Sequence, residues 1–452
     1  MKMIYDVKDK PKFPSILVFA FQQLLAIMAA TIAVPMIVGN GMSTSAALFG
    51  AGVGTLVYVA FTKAKSPVFL GSSFAFLGSM AAAFAGGVSV GLGYVGLIIG
   101  AILAGLVYVV IALIVKGVGV GWVSKLMPAV VIGPTVAIIG LSLAGNAIGD
   151  LGATAAKFEE AATPLTQYIS IICGLVTLAV TMLCSVYGKK MGKLIPFIIG
   201  ILAGYAAASV FFVIGSVTGN DALKVIDYTA LTSLFDKISV NSFIAVPDFT
   251  FIKAFGSFSE LSPAYIGTIA VAFIPVAFVV FAEHIAYHKN LSSIIEHDLL
   301  EDPGLSRTLL GDGVGSMVGA FFGGCPNTTY GESVGCVAIT KNASVRTIIV
   351  TAIEAIVISF IAPFVGFLST IPSCVMGGVC VALYGFIAVS GLKMLQKVDL
   401  DDNRNLFTAS VILIAGVGGM VLKFGNVTIT EVACALILGI LTNIMLGRKK
   451  KK

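Results

Sequence analysis

Two acidic residues stand where an acid is expensive. Glu283 occurs in Phe281-Ala282-Glu283-His284-Ile285-Ala286-Tyr287-His288, late in an apolar stretch that begins near residue 263. Glu332 occurs within residues 325–341, CPNTTYGESVGCVAITK, in a chain that is otherwise largely membrane-like. A charged side chain at the centre of a membrane helix costs roughly 2.5–3.5 kcal/mol on insertion scales, so it marks a ligand contact, a proton site or a buried pair. The chemistry open to two such carboxylates is acceptance of hydrogen bonds from a polar guest and uptake of a proton. Tyr287, one turn after Glu283 on the same helix face, can hydrogen-bond that carboxylate and tune its affinity for a proton. The plainer readings are a salt bridge at the helix end for Glu283 and a helix cap for Glu332. His284 and His288 share a face at i, i+4 spacing. No HExxH motif and no further His-bearing cluster completes a zinc site, so no metal and no cofactor is expected.

Those acids must be positioned. Pro326-Asn327-Thr328-Thr329-Tyr330-Gly331 cannot face lipid, because non-helical backbone survives at membrane depth only against protein or a water-filled cavity. The small apolar residues after Glu332 read as a half-helix whose free N-terminal amides point at mid-membrane. Gly71-Ser72-Ser73-Phe74-Ala75-Phe76 is its counterpart in the first half of the chain. The amides of Ser73, Phe74 and Gly331 then converge with the two acids, and the rings of Phe74 and Tyr330 can wall or stack on a flat guest. Amide donors, carboxylate acceptors and aromatic faces suit a planar, neutral molecule with alternating N–H and C=O groups. A pyrimidine or purine base fits better than a sugar or an amino acid.

The remaining elements follow from composition. The chain has 452 residues, 58% hydrophobic and 11% charged, against about a quarter charged in soluble proteins. Apolar runs fall near 14–36, 45–62, 74–87, 92–116, 126–145, 164–187 and 194–216. After a polar stretch at 217–262 they resume near 263–288, 308–323, 332–341, 345–368, 373–392, 405–422 and 430–447. The runs at 74 and 332 are too short to span alone. The expected fold class is therefore an all-α polytopic membrane protein of fourteen transmembrane segments. They form a 7+7 inverted repeat with two short half-helices, each preceded by an extended strand. Pro128-Ala129-Val130-Val131-Ile132-Gly133 and Pro372-Ser373-Cys374-Val375-Met376-Gly377 share P-x-x-V-x-G at matching places in the two halves.

With a cytoplasmic N-terminus, only Lys157, Lys224, Lys237, Lys253 and Lys423 of the 28 Lys and Arg fall outside. That places both termini in the cytoplasm and the protein in the cell (plasma) membrane. The basic tail from Arg448 to Lys452 suits anionic lipid or a solvated end equally. The net charge of +6 is thus a matter of topology, with no nucleic acid implied. No cleavable signal peptide is expected, since a polar N-terminus leads straight into a spanning segment. The seven Cys read as small core residues. At least one of Gln22 and Gln23, mid-helix in the first segment, must face the interior, and Glu354 is given an interhelical hydrogen bond.

Tyr330-Gly331-Glu332-Ser333, with Gly335 and the Thr340-Lys341 end of the same motif, resembles the signature of the nucleobase–ascorbate transporter family, and most closely its uracil-carrying bacterial members. Leu70 to Phe76, Ala282-Glu283-His284, Asp298-Leu299-Leu300 with Asp302-Pro303-Gly304-Leu305, and Val375-Met376-Gly377-Gly378 extend the resemblance over almost the whole chain. It implies a core domain (13–118 and 263–370) and a gate domain (119–262 and 371–447), proton-coupled uracil uptake by elevator-like movement of the core, and often a homodimer. It assigns Glu283 and Glu332 to the uracil N–H groups and the amides of Phe74 and Gly331 to the carbonyls. Tyr330 and Phe74 would shape the pocket, and Tyr384 would approach from the gate side. Two residues depart from the pattern: Ser333 stands where the signature has Asn, and Tyr287 where uracil carriers usually show His, with His288 displaced by one. Glu332, rather than Gln, favours uracil over xanthine.

The rival readings are a xanthine or other nucleobase carrier, an anion carrier or channel of the same fold, and an intramembrane enzyme using Glu283 and His284. No nucleophile motif accompanies the last, so no enzyme activity is expected, and two acids at the site disfavour an anion.

Overall fold

The computed structural model describes residues 3–119, 122, 128–158, 163–189, 191–424 and 427–447. Lys2, Lys125, Lys190 and the basic tail at 448–452, on which part of the charge argument rests, lie outside the described residues.

The first half runs through α1 (Phe13–Val38), α2 (Thr44–Phe61), β1 (Leu70–Ser72), a 3-10 turn (Phe74–Phe76) leading into α3 (Leu77–Ala83), and α4 (Val90–Val118). It continues with α5 (Ala129–Ser142, resuming as Ala144–Leu151), α6 (Pro164–Tyr187) and α7 (Pro196–Thr218). The second half repeats the order: α8 (Pro263–Ile295), α9 (Leu305–Gly323), β2 (Asn327–Thr329), α10 (Gly331–Thr340), α11 (Val345–Ile358, resuming as Ala362–Ser369) and α12 (Ser373–Leu395). It closes with α13 (Asn403–Val417), the hairpin β3 (Leu422–Phe424) and β4 (Val427–Ile429), and α14 (Glu431–Gly447). This is an all-α fold of fourteen segments in a 7+7 inverted repeat. Both P-x-x-V-x-G prolines sit at the N-caps of equivalent helices, α5 and α12. Eight of the described helices are long and apolar enough to cross a membrane singly.

Local chemistry sets the helix starts. Ser43 Oγ accepts the Ala46 amide at the head of α2, and a reciprocal Thr163–Thr166 pair caps α6. Pro263, with Ser262 capping the Tyr265 amide, opens α8.

Three segments differ from the sequence expectation. α5 and α11 are each interrupted, at Leu143 and between Ile358 and Ala362, where single segments are expected. α13 ends at Val417, not near 422, because Gly418 and a left-handed Gly419 (φ 67°) stop the helix before the hairpin.

The helices pack in two groups. α1 to α4 interleave with α8 to α11, most closely along α2–α9, α4–α9, α4–α8 and α2–α11. α5 to α7 interleave with α12 to α14, along α5–α12, α6–α7, α6–α12 and α13–α14. The α2–α9 seam is backbone on backbone: a Cβ at Gly50 would stand 2.4 Å from the Gly319 carbonyl oxygen.

At the centre of the first group the two strands cross. β1 pairs antiparallel with β2 in the register Leu70–Thr329, Gly71–Thr328 and Ser72–Asn327. The Ser73 amide donates to Pro326 O at 2.9 Å and the Tyr330 amide to Phe69 O at 3.2 Å. The Asn327 side chain donates to Gly50 O at 3.1 Å, and Thr55 Oγ1 accepts the Leu70 amide at 2.9 Å. Non-helical backbone is thereby satisfied by protein. All six paired residues are buried.

Outside the spanning segments, Lys65 meets Asp302 at 2.6 Å and ties the connection before β1 to that before α9. The Lys65 ammonium hydrogen bond holds the Asp302 carboxyl below the ordinary value, so this link is complete above the usual carboxylate range and is lost as pH falls through the lowered value.

Candidate functional site

Where the two strands end, two short helices begin, and their N-termini face a cavity of about 360 Å³. Phe74 contributes from the first half, and Tyr287, Gly331, Glu332, Gly335 and Cys336 from the second. The opposite wall comes from the other helix group: Pro196 and Phe197 at the start of α7, and Leu383, Phe386, Ile387 and Ser390 on α12. The cavity runs toward the face carrying the 188–195 and 341–344 connections, with Lys193 and Ile339 also in its lining. Its volume suits a small planar molecule.

Gly331 and Gly71 are dictated by close approach. A Cβ on Gly331 would lie 2.9 Å from the Tyr287 ring, and one on Gly71 would lie 2.3 Å from the Tyr330 ring. Tyr287 therefore packs against the backbone at the α10 N-terminus. Among the described residues no hydrogen bond joins it to Glu283, the carboxylate that its place on the helix face would allow it to reach.

The sequence-selected residues divide. Phe74, Tyr287, Gly331 and Glu332 line the cavity together. Glu283, Ser73, Tyr330 and Tyr384 are not among the lining residues. Tyr330 was expected to flank the guest, but its ring is turned into the protein against Gly71, where its hydroxyl donates to Ser72 O at 2.7 Å. Tyr384 meets Phe74 edge-on, ring centroids 6.0 Å apart, linking the two helix groups across the head of the cavity. Glu283 is half-buried and within repulsive range of both Glu332 and Asp312.

Gln23 is the interior member of the glutamine pair in α1. Its Nε2 donates to Ser333 Oγ at 2.6 Å, and the Phe69 amide donates to the same oxygen at 3.0 Å. Ser333, the departure from the family signature, thus anchors α10 to α1 and to the backbone entering β1. Ser333→Ala leaves two buried donors unpaired and is expected to cost about 1–3 kcal/mol for each. Thermal unfolding of the purified variant, compared with the parent, measures it.

Sequence reasoning missed Asp312. Gly311-Asp312-Gly313 puts an acid inside an apolar segment, the same signal that singled out Glu283. Asp312 is fully buried, and its Oδ2 lies 2.6 Å from His284 Nδ1. Thr308 Oγ1 donates to Leu305 O at 3.0 Å and therefore accepts from His284 Nε2–H, also at 3.0 Å. The short Nδ1–Oδ2 contact is then left to share a single proton. His288 stacks on His284 with centroids 4.0 Å apart and donates Nδ1–H to the His284 carbonyl at 2.8 Å. Its Nε2 meets the Tyr58 hydroxyl at 2.7 Å, and that hydroxyl also bonds Ser66 Oγ at 2.7 Å. Both histidines are consumed by this network. Among the described residues Asp312 Oδ1 has no hydrogen-bond partner. Neither has Glu354 Oε2, where sequence reasoning placed an interhelical bond.

A family model described as "Permease family" matches residues 14–424. Among curated proteins, the uracil permease of Bacillus caldolyticus is 38% identical over 98% of this chain and 95% of its own length. The uracil permease of Bacillus subtilis is 37% identical over 100% and 97%, and that of Escherichia coli K12 is 35% identical over 96% and 92%. Among solved structures, the transmembrane domain of the cyanobacterial bicarbonate transporter BicA superposes with a TM-score of 0.60 at 14% identity, covering 98% of this chain and 99% of that one. The murine anion transporter Slc26a9 in its inward-facing state gives 0.63 at 13%, covering 97% and 69%. These two share the fold. The family match and identities of this size over nearly the full length show that the chain belongs to the nucleobase–ascorbate transporter family of permeases, and is a transporter rather than an enzyme.

Proposed function

We propose that this chain imports uracil together with protons across the plasma membrane, with both termini in the cytoplasm. The observation that carries the reading is the meeting of Phe74, Gly331 and Glu332, from opposite halves of the chain, around one cavity at the N-termini of two interrupted helices. Glu332 accepts from a uracil N–H, the Gly331 and Phe74 amides donate to its carbonyls, and Tyr287 and Phe74 supply flat walls. The uracil permeases cited above favour this guest. A carboxylate at 332 selects an N–H, whereas Gln would offer both donor and acceptor.

Glu283, outside the lining and close to Glu332, takes the proton role. A proton there removes the repulsion between two half-buried acids, so the loaded site moves with one negative charge, on Glu332, in place of two. The two helix groups serve as the core (13–118 and 263–370) and the gate (119–262 and 371–447). With the N-terminus inside, the cavity opens to the cytoplasm, so this conformation is inward-facing. Sliding the core past Tyr384, Phe197 and Leu383 would carry the site to the other face. A homodimer built through the gate groups suits such sliding.

The test is uptake of labelled uracil into proteoliposomes at several pH values, competed by xanthine, uric acid and thymine. Saturable uptake that rises with an inward proton gradient, and is blocked best by uracil, is expected. Stronger competition by xanthine would move the assignment to a purine carrier. The structural likeness to anion transporters favours no anion here, since two acids at the site repel one.

A further inference from the structure

We propose that the segment from Met3 to Asp9 is a positioning strap for the substrate half-helix α10, so that the cytoplasmic N-terminal segment sets the affinity of the cavity. The proposal rests on the transport reading above.

α10 has ten residues, fewer than an isolated helix needs to be stable. One face is bare: Gly335, Cys336 and Ile339 line the cavity, and a Cβ at Gly335 would meet nothing within 4 Å. Its N-terminal end is tied by Ser333 to Gln23 and Phe69. Its C-terminal end is tied by the strap. The Ile4 and Tyr5 amides donate to the carbonyl of Lys341, the left-handed residue that ends α10, at 2.7 and 3.3 Å. Tyr5 pairs with Asn342 as a parallel bridge. The Ala343 amide donates to Tyr5 O at 2.9 Å, the Val345 amide to Val7 O at 3.2 Å, and Ser344 Oγ to Asp9 O at 2.7 Å.

The side chains agree with the backbone. Along Met3-Ile4-Tyr5-Asp6-Val7-Lys8, burial alternates with a period of two, as in a strand covered on one face. Met3 and Val7 pack on a cluster containing Val334 and Val337 of α10 and Leu291 of α8, and the cavity residue Tyr287 packs on the same cluster. Tyr5 meets Phe19 of α1 edge-on at 5.9 Å. Any motion that draws the strap away removes the acceptors' partners at the α10 C-terminus and uncovers the apolar side opposite the cavity. The opposite end of the same short helix presents Gly331 and Glu332.

Two substitutions test this. Val7→Asp puts a charge against the two apolar clusters that Val7 packs on, one of which contains Val334 and Val337, while Val7→Ile keeps the contact. Ile4→Pro removes one amide donated to Lys341 O at a residue 59% exposed, and so leaves the interior untouched. Hydrogen exchange of the 331–340 amides is expected to quicken at least tenfold in Val7→Asp and severalfold in Ile4→Pro. The uracil KM should rise fivefold or more in Val7→Asp with Vmax within twofold, and Val7→Ile should restore both. Unchanged exchange in Ile4→Pro, or quickened exchange with the parent KM, overturns the proposal. If the parent itself takes up no uracil, the substrate assignment fails alone, and unchanged or quickened 331–340 exchange still decides the strap.

Discussion

Glu332→Ala is expected to abolish saturable uracil uptake while the protein folds and inserts normally. Glu332 is the acid that both lines the cavity and belongs to the first turn of α10. A hydrogen bond to a charged group contributes about 1.5–3 kcal/mol, which is roughly 10- to 100-fold in affinity. The alanine also leaves a uracil N–H without its protein acceptor, so the combined loss should pass about 100-fold. Titration calorimetry gives the Kd, and thermal unfolding in detergent checks that α10 is still in place. A variant that binds uracil within twofold of the parent would remove Glu332 from the site. Packing cannot substitute for it, because the neighbours on that side of the cavity are Gly331, Gly335 and the Tyr287 ring.

The second large effect concerns coupling. Glu283→Gln is expected to keep exchange of uracil for uracil but to lose accumulation driven by a proton gradient. One pH unit is worth 1.36 kcal/mol, so a carrier moving one proton per uracil can concentrate it about tenfold per unit. The amide imitates the protonated acid at all pH values, relieves the repulsion of Glu332, and has no proton to release. The accumulation ratio in proteoliposomes should therefore fall to about 1, while counterflow of labelled uracil persists. Accumulation by the variant under an imposed pH gradient would shift the proton role elsewhere. The single proton shared by Asp312 and His284 is the next group to examine, because Asp312 is within electrostatic reach of Glu283.

Much of the architecture was written in the residue pattern. Runs of apolar residues at membrane length fix where helices lie, since hydrocarbon offers the backbone no partner and only internal hydrogen bonding spans it. The polar, glycine-rich stretches 71–76 and 326–332 announce interrupted helices for the same reason. Glu283 stands out as an acid inside an apolar helix, and Glu332 and Phe74 as an acid and a ring beside non-helical backbone at that depth. Asp312 carried the same signal, one acid in an apolar run, and only the structure shows it held by His284 from the neighbouring helix.

What the sequence could not decide depends on contacts between residues hundreds of positions apart. Nothing in Gln23 or Ser333 alone says that they bond each other, yet that bond seats the half-helix. Nothing in Tyr330 says that its ring covers Gly71 instead of the cavity, or that Glu332 lines the cavity and Glu283 does not. Rotation of each helix about its axis is settled by packing against its neighbours, where a single glycine such as Gly71 or Gly331 admits a ring that any Cβ would exclude. The sequence therefore determined which groups this transporter could use at mid-membrane, through the cost of placing polar groups in hydrocarbon. The tertiary structure decided which of them face the same space, through the close packing of helices from the two halves.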